Sequence, residues 1–240
     1  MRTLKRIISA LLVLSLLAVS LCSCDLLTKP GDLITVADAA LETRDYTVEM
    51  TVSYESDDAK MQEAISAFTS TTILTEVDGE SFRITMTFEK DGRENGVICT
   101  YVDGVLYTVN DELGVTTKLA QPVTDLDKDE ITGAAGVSAG DFTTVKAKTT
   151  DGVSVITCTD IKDEALDRLV DELARQLDSE TVVAIKDVTL DINLKNAMYD
   201  TATLKCDYVI TTSDAVYTVT MTYESKFTYG NVEKIIAPTF

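Results

Sequence analysis

Residues 32–54 read DLITVADAALETRDYTVEMTVSY, and the apolar period changes halfway along. In the first half Leu33, Val36, Ala37, Ala40 and Leu41 recur at i, i+3, i+4, i+7 and i+8, the spacing of one helical face, with Asp32 in place as an N-cap. From Asp45 the period is two. Tyr46, Val48, Met50, Val52 and Tyr54 fall on one face, and Asp45, Thr47, Glu49, Thr51 and Ser53 on the other. A strand apolar on one side and polar on the other belongs to an antiparallel sheet with one solvated face. A helix with a matching apolar stripe packs on the dry face, and the fold class that follows is α+β.

The chain begins with an address. Arg2, Lys5 and Arg6 precede the uncharged, mostly apolar run Ile7 to Leu21, too short for a membrane span of about 20 residues but suited to an export signal. The run ends in Leu21-Cys22-Ser23-Cys24, which resembles the bacterial lipobox: an aliphatic residue three positions before a cysteine, a small residue just before it, then the cysteine that is acylated after cleavage. Cys24 is therefore the expected lipid-attachment residue. Residues 1–23 are read as a lipoprotein signal peptide, 24–31 as a lipidated tether, and 32–240 as a single domain anchored on the extracytoplasmic side of the cell membrane by its N-terminal acyl chains.

Cleavage before Cys24 removes three of the 21 basic residues and none of the 40 acidic ones. The formal charge moves from −19 to −22, 18 basic against 40 acidic. Nucleic acid is excluded as a partner, because phosphate binding needs a basic stripe and none is present. The same charge is repelled by anionic lipid, so the acyl chains must carry the attachment. About 200 residues suffice for one buried core, and a monomer is expected. Cys99, Cys158 and Cys206 are odd in number and lack metal-ligand spacing. At least one thiol is expected to stay free, and Cys158 and Cys206, on apolar strand faces, read as small buried hydrophobes in preference to a disulfide, with pairing between any two of the three left open.

The body alternates strands with turns. Met61, Ala64, Ile65 and Phe68 mark a second helical face within Asp57 to Thr69. Strands are expected over Thr71 to Val77, Ser81 to Glu89, Val97 to Val102, Val105 to Val109 and Val115 to Ala120. Asp78-Gly79, Asp91-Gly92 and Asp103-Gly104 stand between them as type I′ hairpin turns. Gln121 to Gly140 reads as a long loop with one helical turn. Its Asp125, Asp127 and Asp129 alternate as calcium ligands do, but Glu130 and Gly136 occupy the positions where such a loop needs glycine and glutamate. A solvated acidic loop is the better reading. Another hairpin, Phe142 to Lys148 and Val153 to Thr159, turns at Asp151-Gly152. Asp160 then opens a third helix, expected to be the longest and to reach Asp178, with Leu166, Leu169, Val170, Leu173 and Leu177 as its stripe. Three long strands close the chain: one with Val188, Leu190, Ile192 and Leu194, one with Leu204, Cys206, Tyr208 and Ile210, and one with Tyr217, Val219, Met221 and Tyr223.

Chemistry is sparse. The chain has no histidine, so Ser-His-Asp triads, Cys-His pairs and histidine zinc sites are impossible. No glycine-rich loop joins a strand to a helix to cradle phosphates, and nothing in the sequence brings a particular carboxylate pair together for glycoside hydrolysis. No catalytic residue, metal site or cofactor is expected, and the chain is not read as an enzyme.

The lipobox, the helix stripe from Leu33 to Leu41, the strand opening on Tyr46-Thr47-Val48 and the hairpin Thr100-Tyr101-Val102-Asp103-Gly104-Val105-Leu106-Tyr107 together resemble the LolA/LolB/LppX superfamily. So does the ending Tyr229-Gly230-Asn231-Val232-Glu233-Lys234-Ile235-Ile236-Ala237-Pro238. The nearest branch would be the extracellular lipoproteins of Gram-positive anaerobes. The resemblance implies a strongly curved antiparallel sheet of about ten strands, an unclosed half-barrel, with about three helices on its concave apolar face, where better-known relatives hold acyl chains. A lipid, acyl chain or other hydrophobic ligand is then the expected partner, held by Val48, Met50, Phe82, Ile84, Met86, Ile192, Val219 and Met221. The alternative is a sensor or scaffold lipoprotein whose half-barrel is filled by its own helices and whose surface recognises a protein.

Overall fold

In the computed structural model, which describes residues 29–66, 71–90, 93–112, 115–123, 137–174, 182–211 and 215–239, the strand Tyr46–Glu55 (β1) stands in the middle of an eleven-stranded antiparallel sheet. Ten further strands follow in the chain: β2 (Thr71–Asp78), β3 (Ser81–Lys90), β4 (Arg93–Val102), β5 (Val105–Glu112), β6 (Val115–Pro122), β7 (Phe142–Thr150), β8 (Val153–Ile161), β9 (Val182–Lys195), β10 (Met198–Thr211) and β11 (Val216–Tyr229). Their spatial order is β6-β5-β4-β3-β2-β1-β11-β10-β9-β8-β7. Two meanders thus meet where β1 pairs with β11, in the register Tyr46↔Tyr229 to Glu55↔Thr220. β6 and β7 are the two edges, and the sheet is not closed. The described residues are mostly β, with one strand more than the ten expected.

Among the described residues three α-helices accompany the sheet: α1 (Pro30–Glu42), α2 (Ala59–Ser66) and α3 (Asp163–Ala174). α1 begins two residues before the expected cap. Lys29 holds the N-cap position without a side-chain cap, Pro30 supplies the preset φ of the first turn, and Asp32 lies inside that turn. α2 is capped by Asp58, whose Oδ1 accepts the backbone N–H groups of Lys60 (3.0 Å) and Met61 (2.9 Å). Asp160 does not cap α3; it sits within β8 at φ 61°, and the helix starts three residues later. The rest of the helix expected to reach Asp178 lies outside the described residues.

The hairpins follow their turn residues. Asp103-Gly104 (φ 51° and 80°) and Asp151-Gly152 (φ 52° and 78°) have both central residues left-handed, as a type I′ turn requires. At the β2–β3 corner the pairing of Asp78 with Ser81 centres the turn on Gly79-Glu80, one residue beyond the expected pair, and Gly79 alone is left-handed (φ 58°). Asp91-Gly92 lies outside the described residues. The β9–β10 turn is Asn196-Ala197, at φ 53° and 59°. A left-handed alanine costs about 1–2 kcal/mol against glycine's free access to that region. Ala197→Gly should therefore raise the stability by about 1 kcal/mol, read as a higher urea midpoint with an unchanged slope; a lower midpoint would contradict the turn assignment.

One face of the sheet holds the core. Across β1, β11, β10, β9 and β8, the buried set Met50, Val52, Met221, Leu204, Ala202, Leu190, Ile192 and Ile156 packs with Leu33 and Ala37 of α1 and half-buried Leu166, Leu169 and Val170 of α3. A smaller cluster of Tyr46, Val48, Val77 and Phe82, flanked by Leu41, Ile84, Tyr101 and Phe227, joins the other meander. Leu33 and Ala37 are the buried residues of α1, while Val36, expected on the same stripe, is 40% exposed. On the polar side, Thr218 of β11 is exposed, and Thr47 of β1 and Thr85 of β3 are half-buried. Cys99, Cys158 and Cys206 are all free thiols, the last two buried.

β9 carries a device that alternation alone does not reveal. Its buried residues are Val183 and Ile185, then Val188, Leu190, Ile192 and Leu194, so the inward set passes from odd to even positions. The switch occurs at Asp187, left-handed at φ 51°, where the pairing with β10 slips between Lys205 and Asp207. This is a β-bulge: one extra residue bends the strand and restores the apolar face beyond it.

Candidate functional site

A cavity of about 990 Å³ opens between α1, the segment Val137–Gly140 and the apolar face of the sheet. Its floor is Val48, Leu190, Ile192 and Ala202, all buried, with Val145 and Phe227 beside them. The hollow has a reason in side-chain size. Ala202 faces Ser225 across the β10–β11 pair, so the middle of the floor is low, and the cover above brings Pro30, Gly31, Ala139 and Gly140. Small residues meeting from both sides leave space that larger ones would fill.

α1 serves the cavity with a second face. Leu33 and Ala37 go into the core, while Ile34, Asp38, Leu41 and Glu42, at i, i+4, i+7 and i+8, line the hollow. The helix is latched to the sheet by the Tyr199 hydroxyl, which donates to Asp38 Oδ1 at 2.6 Å, and the Tyr199 ring stacks on Phe227 with centroids 5.2 Å apart. Burial, and then that hydrogen bond, push the Tyr199 pKa well above the usual 10. The opposite wall is held by Asp141. Its carboxylate accepts the Ser138 backbone N–H (2.7 Å) and hydroxyl (3.0 Å), closing a capping box around the short 3-10 turn Ala139–Asp141. It also accepts the Arg168 guanidinium of α3 at 3.1 Å. Burial acts to raise the Asp141 pKa, but the Ser138 N–H, Arg168 and the Ser138 hydroxyl outweigh it and hold the carboxyl below the usual range. Lys162 donates its ammonium to the Gly140 carbonyl.

Of the eight residues expected to hold a ligand, Val48 and Ile192 line this cavity. Met50, Met221 and Val219 are buried in the sheet face outside it, Phe82 is fully buried in the smaller cluster, and Ile84 and Met86 are half-buried on β3. The expected lipid-attachment residue, Cys24, lies outside the described residues, as do Asp125, Asp127 and Asp129. Among the described residues no cluster of three metal-ligating side chains occurs. The lining that sequence reasoning missed, Ile34, Asp38, Ala139, Tyr199 and Ala202, belongs to three separate stretches of chain. Tyr199 meets Asp38 across 161 positions, a contact no local pattern announces.

The phenols and thiols about the core set the pH response. Burial raises Cys158 and Cys206 from 9.0 to about 11, and Tyr229 from 10.0 to about 12, where the backbone of Tyr199 pulls the other way. Tyr54 and Tyr208 move upward for the same first reason. Groups raised in the folded state keep protons that the unfolded chain loses. Their contribution is therefore complete below pH 9 and is lost as pH climbs through about 11 to 12. Without histidine the chain has no side chain of ordinary pKa near neutrality. The urea midpoint should be level between about pH 6 and 8 and fall clearly by about pH 10.5. A level midpoint at the alkaline end would refute the burial of these groups.

No protein-family model matches the chain, and no curated protein matches it. Among solved structures it is similar to the ywiB protein from Bacillus subtilis, with 12% identity, 76% of this chain and 91% of that chain covered, and a TM-score of 0.22. It is also similar to MucB in complex with MucA(peri), at 10% identity, 82% and 94% coverage and a TM-score of 0.11. A Pseudomonas aeruginosa MucA/MucB complex gives 9%, 84% and 99% coverage, and 0.14. Superpositions this loose carry no argument, and the site stands on its own geometry.

Proposed function

We propose that this chain is a non-catalytic, lipid-anchored extracytoplasmic protein that holds a hydrophobic ligand between α1 and the apolar face of its sheet. The observation that carries the reading is the cavity of about 990 Å³ with a floor of buried Val, Leu, Ile and Ala side chains. That is the upper end of the roughly 300–1,000 Å³ typical of small-ligand sites, and an apolar lining with few polar groups is their usual character. In the half-barrel reading suggested by the LolA/LolB/LppX resemblance, this face is the concave one and α1 is a cover on it. Each methylene taken from water contributes about 0.8 kcal/mol, so a chain of eight to ten carbons binds usefully without a polar contact. Cys24 then supplies the anchor, and the domain works as a monomer at the membrane surface.

Two measurements test the two parts. Cells given a fatty-acid analogue should label the wild-type chain and leave Cys24→Ala unlabelled and released from the membrane fraction; label retained by the variant would remove the anchor. Native mass spectrometry and organic extraction of the full chain carrying Cys24→Ser, free of its own acyl groups, should recover a bound hydrophobic molecule or titrate one. A folded protein that takes up none would leave the scaffold reading, with protein recognition on its outer surface.

A further inference from the structure

From the distribution of charge around the cavity we infer that its occupant is a cationic amphiphile, an alkyl chain bearing a protonated amine, and not a fatty acid or an anionic phospholipid. This rests on the hydrophobic-ligand reading above. The floor residues are buried, whereas the three ionisable carboxylates of the lining, Asp38, Glu42 and Glu80, are all exposed. Apolar surface therefore lies at the closed end and negative charge at the open end, an arrangement that takes a tail inward and leaves a head group at the rim. Asp38 and Glu42 stand one turn apart on α1, on the same side of the helix. Glu80 comes from the turn between β2 and β3.

No lysine or arginine belongs to the described lining. Two cations near it are engaged elsewhere, Lys162 on the Gly140 carbonyl and Arg168 on Asp141, while Lys29 and Arg44, beyond the two ends of α1, lie outside the lining. Asp38 accepts a hydrogen bond from Tyr199, which leaves its charge uncompensated, and neither Glu42 nor Glu80 forms an ion pair with a described residue. A carboxylate or phosphate head would be brought against three like charges on a chain of net charge −19, whereas an ammonium would be attracted by all three. Like-charge juxtaposition discriminates against the wrong partner as strongly as attraction favours the right one.

The test uses three probes of equal chain length, dodecylamine, dodecanol and dodecanoate, each displacing a neutral environment-sensitive fluorophore from the full chain carrying Cys24→Ser at pH 7. Dodecylamine should bind at least about tenfold more tightly than dodecanoate, with dodecanol between them, and the gap should narrow as salt is raised. Glu42→Gln with Glu80→Gln, which spares the Asp38–Tyr199 latch, should bring the amine and the acid to within about threefold of each other. Dodecanoate binding as well as the amine, or a gap that survives the double substitution, overturns the charge assignment and leaves the cavity intact as a hydrophobic site. Failure of all three probes, dodecanol included, overturns the hydrophobic-ligand reading and this inference with it.

Discussion

Phe82→Ala lowers the free energy of unfolding by about 3–5 kcal/mol, a large share of the roughly 5–15 kcal/mol that holds a domain of this kind together. Phe82 is 0% exposed and stands where the meander of β2–β6 is tied to the central strand. It pairs with Val77 on one side and Tyr101 on the other, stacks on the Tyr101 ring at 5.3 Å and 18°, and completes the cluster with Tyr46 and Val48 of β1. Only four buried side chains make that cluster among the described residues, so removing the larger of its two fully buried members leaves a void that neighbours on a hydrogen-bonded sheet cannot close. Phe82→Leu, which keeps most of the volume, should cost less than half as much. Urea unfolding followed by circular dichroism reads both. A loss below about 1 kcal/mol for the alanine variant would mean that the cluster is loosely packed and contributes little to joining the two meanders.

The fold was more legible than the site. The alternation in Tyr46–Tyr54 announced a one-sided strand, and that strand proves to be the middle of the sheet, dry on the face predicted. Asp103-Gly104 and Asp151-Gly152 marked their hairpins because glycine and aspartate are the residues that accept positive φ. Where the reading fell short, the cause is non-local. Val183 and Ile185 belong to the buried face of β9, but the bulge at Asp187 breaks the period that would have revealed them. Asp160 looked like a cap from the sequence beside it, yet β8 pairing carries it into the sheet. The cavity was hidden for a related reason. A large apolar residue at period two is a signal; a small one such as Ala202 is not, because the space it leaves exists only once β10 has paired with β11 and α1 has been laid across it. Reasoning from apolar strand faces therefore selected residues that make the sheet cohere, such as Met50, Phe82 and Met221, along with two, Val48 and Ile192, that also line the hollow.

Ala202→Phe should weaken binding of a hydrophobic probe by about 30-fold or more while leaving the protein folded. Ala202 is 8% exposed and lies on the cavity floor between Ile192 and Ser225, so an added ring points to the place where a ligand would lie. Displacing the equivalent of two or three buried methylenes, at about 0.8 kcal/mol each, removes about 2 kcal/mol of binding. The ring enters space already empty. It therefore creates little of the overpacking strain that insertion into a filled core brings, and it covers apolar surface from β9 and β11 that now faces a void. The unfolding midpoint should accordingly stay level or rise. Met86→Leu is the matching control: Met86 is one of the residues that strand periodicity offers for ligand binding, but it lies on β3 outside the cavity, and its replacement should change probe affinity by less than about twofold. If Ala202→Phe binds as the wild type does and Met86→Leu does not, the ligand sits on the β3 side of the sheet and the cavity under α1 is not its site.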